Sequence, residues 1–217
     1  MALTDKLKAV GDAIRAGTGK SDTLTLDQMP EEIASLGGIE ILESVVDGSA
    51  RSISLPNVTE IREHAFERLP NLTYVSMPNV KSIKHMAFYY CTKLALTSLP
   101  DSLVTLESVA FYKCVELCLE TLPPKLEVIP GDAFAYCYKN TFKEIPECVK
   151  EIGDAAFREN YGLTELTFKG TPTSINQSAF YRCSNLTTIN VPWAEGEVAD
   201  APWGAVNATI NYNYVEG

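Results

Sequence analysis

Six cysteines and two histidines are the most reactive side chains of this 217-residue chain, and their spacing decides what chemistry they can do. Cys91, Cys114 and Cys137 follow one another at one constant interval, and Cys183 lies twice that interval beyond Cys137. No two of them form the C-x-x-C arrangement that closes a tetrahedral zinc site, so a metal centre is not expected. His64 and His85 belong to no nucleophile, metal or acid–base motif, and the carboxylates are scattered rather than paired. Gly17-Thr-Gly-Lys20-Ser21 has the composition of a phosphate loop but lacks the leading glycine and follows no strand. The reading is of a non-enzymatic chain with no catalytic, cofactor or metal residues.

The cysteine interval belongs to a longer pattern. Ala-Phe pairs recur with their phenylalanines at Phe66, Phe88, Phe111, Phe134, Phe157 and Phe180, the first step being one residue shorter than the equal steps that follow. A spacing that regular denotes stacked repeats rather than one globular core. Five positions before each Phe stands Ile61, Ile83, Leu106, Ile129, Ile152 or Ile175. Six positions after it come leucines, with Asn140 as the exception. Such slots stack into one continuous core. The four cysteines above each stand three residues after a Phe, a slot that Leu69 and Asn160 fill in the other repeats. It reads as a packing slot holding reduced, buried thiols.

Ile53-Ser-Leu55, Val75-Ser-Met77, Leu166-Thr-Phe168 and Ile189-Asn-Val191 alternate apolar and polar residues, which predicts strands with one buried face. The stretch through each Ala-Phe suits a short helical or 3-10 turn on the opposite side. The combined pattern L-x-x-I-x-L-P-x-x-V-x-x-I-x-x-x-A-F-x-x-C-x-x-L resembles the leucine-rich repeat of the BspA-like, or treponemal, type over about residues 51–192. That resemblance implies an α/β repeat solenoid of about six units, each roughly 22–23 residues long. It also implies a cell-surface or secreted protein engaged in adhesion and protein binding, with no catalytic residues.

The ends read as caps, dividing the chain into 1–38, 39–192 and 193–217. Leu3 to Ala16 suits an amphipathic helix, and Thr25-Leu-Asp-Gln28 is a capping box leading into a second helix up to Leu36. This helical pair is similar to a short module of phage and prophage structural proteins, in the wording around Ala13-Ile-Arg15 and Leu26-Asp-Gln-Met-Pro-Glu-Glu-Ile33. At the other end, Trp193 and Trp203 are expected to cover the last repeat, followed by a strand within Ala208 to Tyr214. The net charge of −10 opposes nucleic acid and anionic membranes as partners. No run of about 18 apolar residues predicts membrane insertion, and Met1 to Leu36 has no apolar stretch of the kind a secretion signal carries. Cell surface, virion and cytoplasm all stay open as locations.

Three middle repeats depart from the pattern. Thr97, Glu120 and Lys143 stand where an inward residue is expected, and the apolar residue moves one place earlier, to Leu96, Leu119 and Phe142. Either a bulge absorbs the offset and buries them, or Tyr74, Leu96, Leu119 and Phe142 form an exposed apolar stripe marking a partner site. With the outward strand residues Ser76, Ser98, Thr121, Glu144, Thr167 and Asn190, these make the candidate surface for a protein or glycan partner. Tyr89, Tyr112 and Tyr181 share the slot after the repeat Phe and predict a partly exposed ridge as a second contact surface. Two functions follow: an adhesion or protein-binding module, or a virion-associated structural protein.

Overall fold

A computed structural model describes residues 49–216, and the N-terminal helices expected within 1–38 lie outside them. Among the described residues there are twelve short strands: β1 (Ser52–Ser54), β2 (Glu60–Ile61), β3 (Tyr74–Ser76), β4 (Ser82–Ile83), β5 (Thr105–Leu106), β6 (Val128–Ile129), β7 (Glu144–Ile145), β8 (Glu151–Ile152), β9 (Glu165–Phe168), β10 (Ser174–Ile175), β11 (Thr188–Asn190) and β12 (Thr209–Asn211). All pairings are parallel, and the register equals the repeat length: Ile53 faces Val75, Ile61 faces Ile83, and Leu166 faces Ile189. The strands make two columns. One runs β1-β3 and, after a gap, β7-β9-β11-β12; the other runs β2-β4-β5 and then β6-β8-β10. The expected strands form one residue earlier than read, and the second column was not anticipated, because two residues are too few to show an alternation.

No helix occurs among the described residues, so the α/β expectation is corrected to a β-solenoid. The reason lies in the Ala-Phe turn. Alternate N–H groups there donate to the following repeat: Asp132 N to Asp154 O, Phe134 N to Ala156 O and Tyr136 N to Arg158 O, at 2.7–2.9 Å. The intervening Ala133 and Ala135 donate three residues back, to Pro130 O and Asp132 O. A helix would keep every one of these donors within its own segment. The geometry needs a left-handed residue two places after each Phe, and Arg68, Tyr90, Lys113, Tyr136, Glu159 and Arg182 all have φ between 56° and 62°. None is glycine, so the inter-repeat bonds hold a conformation that ordinary side chains disfavour.

Within this frame the phenylalanines stack face to face, with neighbouring ring centroids 5.0–5.6 Å apart from Phe66 to Phe180. Trp203, one repeat length beyond Phe180, takes the seventh place: Phe180 N donates to Trp203 O at 2.9 Å, and the buried indole donates to Ala199 O at 2.7 Å. Trp193 packs edge-on against Phe168, so both tryptophans cover the last repeat, and β12 closes the first column.

The cysteine slot does more than pack. Cys91 Sγ donates to Phe66 O at 2.9 Å, Cys114 to Phe88 O at 3.1 Å, Cys137 to Phe111 O at 3.2 Å and Cys183 to Phe157 O at 3.0 Å. Asn160, in the same slot, donates its amide to Phe134 O at 2.8 Å. The slot is therefore mostly a donor position, giving the carbonyls of Phe88, Phe111, Phe134 and Phe157 a second bond beside the one each accepts from the N–H three residues on, and Leu69 alone does not fill it in that way. Asn160 Oδ1 in turn accepts from Asn140, whose own Oδ1 accepts from Leu119 N. The two polar exceptions of the repeat thus form one satisfied buried network. Gly162 lies directly against it, where a Cβ would collide with Asn140 O.

Replacing Asn160 by the repeat's usual cysteine keeps a donor to Phe134 but removes the acceptor of Asn140. The expected result is a loss of about 1–3 kcal/mol in urea unfolding, although the change restores the repeat pattern. None of the six cysteines is joined in a disulfide. Burial raises the Cys114 and Cys137 thiols and pushes Cys183 up to about 12. A thiol reagent at pH 8 should therefore label the half-buried Cys118 and Cys148 in the native protein, and the four ladder cysteines only after denaturation.

Candidate functional site

The first strand column presents the expected outward residues, but not as an apolar stripe. Leu96, Leu119 and Phe142 are only 3%, 0% and 1% exposed, so the offset is absorbed locally and the stripe is overturned; of its four residues Tyr74 alone is exposed, at 52%. In a regular repeat two outward residues precede the inward one, as Thr73 and Tyr74 precede Val75. In a slipped repeat the pair comes after it: Thr97-Ser98, Glu120-Thr121 and Lys143-Glu144 are all exposed, between inward residues on either side. The slip therefore moves one residue across the inward position without changing repeat length. Thr97, Glu120 and Lys143 join the candidate surface, and sequence reasoning missed them because it reserved their slots for the core.

The displaced backbone breaks the ladder. Ala95 N still donates to Thr73 O at 2.9 Å, but among the described residues no further backbone bond joins residues 96–99 to β3. By the alternation of a parallel ladder, the N–H and C=O of Val75 face this gap. Residues 96–99 and 119–122 are not in strands, which is why the first column divides into β1-β3 and β7-β9-β11-β12. The gap opens a cavity of about 220 Å³ lined by Tyr74, Ser76, Pro78, Thr97, Ser98 and Pro100. Past Ser98 and Pro100 it adjoins a wider depression that reaches Asp101, Ser102 and Lys125.

Farther along the column the expected residues are engaged with one another. Glu144 lies 3.1 Å from Lys169 Nζ, which also contacts Glu216 at 2.6 Å, and hydrogen bonds to Glu216 and then Glu144 raise the lysine's pKa. Asn190 is only 2% exposed, which corrects its reading as an open contact residue. Its amide donates to Glu165 at 3.0 Å and Thr167 at 3.1 Å, and its Oδ1 accepts from Asn211 at 2.7 Å. Thr167 is half-buried beneath it. The structure therefore gathers Tyr74, Ser76 and Ser98 at one groove, leaves Thr121 exposed beyond it, and ties Glu144, Thr167 and Asn190 into polar ladders.

The histidines meet edge to face, 6.1 Å apart. His85 Nδ1 lies 3.1 Å from Ser108 Oγ, while Glu67 is 2.8 Å from the His64 ring instead. Among the described residues no carboxylate is hydrogen-bonded to the His85 ring to orient it as a base. No group of three or more His, Cys, Asp or Glu among these residues is placed to hold a metal ion.

Residues 47–144 and 127–198 match the family model of the BspA type leucine rich repeat region, in six copies. No curated protein matches the chain. Among solved structures, a leucine-rich repeat protein from Bacteroides ovatus ATCC 8483 is 28% identical, with a TM-score of 0.53. That match covers 64% of this chain and 39% of the Bacteroides protein, so this chain spans well under half of that relative. The T. pallidum leucine rich repeat protein is 29% identical with a TM-score of 0.51, over 76% of this chain and 70% of its own. Parallel strands and Ala-Phe turns laid down at the repeat interval agree with both likenesses, and the chain belongs to the BspA-type leucine-rich repeat family.

Proposed function

We propose that the chain is a non-enzymatic adhesion module that binds a protein partner on the outward face of its first strand column, centred on the groove beside Tyr74. The observation that carries this reading is the broken ladder. It sets an exposed aromatic ring, hydroxyls and the unpaired main-chain groups of Val75 around one cavity. Main-chain groups at an open strand edge recognise an extended segment, and an adjacent tyrosine supplies rigid contact area. Repeat arrays of this kind serve generally as binding scaffolds. Display at a bacterial surface toward a host protein is the setting that the family resemblance favours. The virion-associated alternative rests on residues 1–38, and no observation in residues 49–216 favours it.

The test is retention of matrix proteins and glycans on the immobilised chain, repeated with Tyr74→Ala and Ser98→Arg. A retained protein whose affinity falls about tenfold with either substitution supports the groove. Retention of glycans alone, no retention above a denatured control, or equal affinity in the variants overturns it.

A further inference from the structure

The turn side carries a second surface that the groove does not use. Two slots, one and two places after each Phe, stand side by side when the repeats stack, and across them tyrosines and cations alternate. Arg68 Cζ lies 5.9 Å from the Tyr89 ring centroid. Lys113 Nζ lies 4.8 Å from that of Tyr90 and 5.2 Å from that of Tyr136, and it donates to the Tyr90 hydroxyl at 2.9 Å. Arg158 is shared between Tyr136 and Tyr181 at 5.2 and 5.5 Å, and Arg182 lies 5.2 Å from Tyr181. The rings hold the cations over their faces and so fix the direction of their remaining donors.

The outward charge of this ridge opposes that of the chain. Its two acids, Glu67 and Glu159, are withdrawn, with side chains 11% exposed, and are occupied by His64, by Tyr161 and by one side of the ridge's own Arg68, Arg158 and Arg182, at 3.5, 3.9 and 3.3 Å. Arg68 and Arg182 are 66% and 58% exposed. A protein of net charge −10 thus presents one strip of preorganised cations and aromatic rings. Arg68, Lys113 and Arg158 belong to the first, third and fifth repeats, so they recur every second repeat, about 10 Å at a parallel-strand spacing of roughly 4.8 Å. A polyproline-type segment advances about 3.1 Å per residue, bringing every third side chain to nearly the same interval.

We propose that this ridge binds an extended acidic peptide segment with a carboxylate at about every third residue. The carboxylates meet the remaining guanidinium and ammonium donors, and the intervening prolines pack against the outer edges of the tyrosine rings. The negative charge of the rest of the molecule disfavours a long polyanion in the same place. The inference rests on the reading of the chain as a binding module but not on the groove.

The probe is a fluorescein-labelled peptide of four Glu-Pro-Pro units, titrated with the full chain in low salt and followed by anisotropy. The expected result is saturable binding that weakens with salt, is absent for the Lys-Pro-Pro peptide, and falls at least tenfold in the Arg68→Gln, Lys113→Gln double variant, whose circular dichroism matches the parent. Tyr74→Ala is expected to leave this affinity unchanged, so a failed groove and a failed ridge give different results. Absence of binding, equal binding of the lysine peptide, an unaffected double variant, or heparin oligosaccharide bound more tightly than the acidic peptide would each overturn the proposal.

Discussion

Every other feature depends on hydrogen bonds that join one repeat to the next at an offset equal to the repeat length. They run through both strand columns and through the Ala-Phe turn, where alternate N–H groups leave their own segment for the following one. Because these bonds tie each repeat to its neighbours residue by residue, a repeat that alters its local path while keeping its length leaves the rest of the stack in register. The slipped repeats obey that condition. They move an outward residue from one side of an inward position to the other, and the phenylalanine stack passes through them undisturbed.

The same constraint explains why polar side chains sit in an otherwise apolar core. The turn carbonyls of Phe88, Phe111, Phe134 and Phe157 each accept one backbone N–H and take a second donor from the buried slot of the next repeat, and a buried polar group left unpaired costs about 1–3 kcal/mol. Cysteine is small enough for the slot and still donates; asparagine donates more strongly but brings a second polar group that must itself be satisfied. Asn140 meets that need from the neighbouring repeat. The raised thiol pKa values follow from the same burial, which keeps the ladder thiols protonated and weakly nucleophilic at neutral pH.

The two outer faces have different physical characters because different slots supply them. The first strand column is polar, and its one opening arises from missing ladder bonds beside Tyr74. The turn side is closed, aromatic and cationic, and its order comes from rings and charges of adjacent slots holding one another. A fold in which each repeat contacts mainly its neighbours lets such faces vary independently while the core slots stay uniform.

Periodicity alone determined the repeat length, the inward slots, the starts of four strands of the first column to within one residue and the tryptophan cover of the last repeat, since stacking makes every core position recur at one interval. It also exposed the irregular residues Leu96, Leu119, Phe142, Asn140 and Asn160, without saying how they are accommodated. Spacing along one chain does not report contacts across repeats. Only the tertiary structure decided that Asn140 and Asn160 bond each other, that the cysteine slot donates, and that the slip buries three apolar side chains while opening a groove beside Tyr74. It also replaced the expected helical turn by a left-handed alternating one, because the decisive hydrogen bonds there run to the next repeat along the chain, which no local propensity can register.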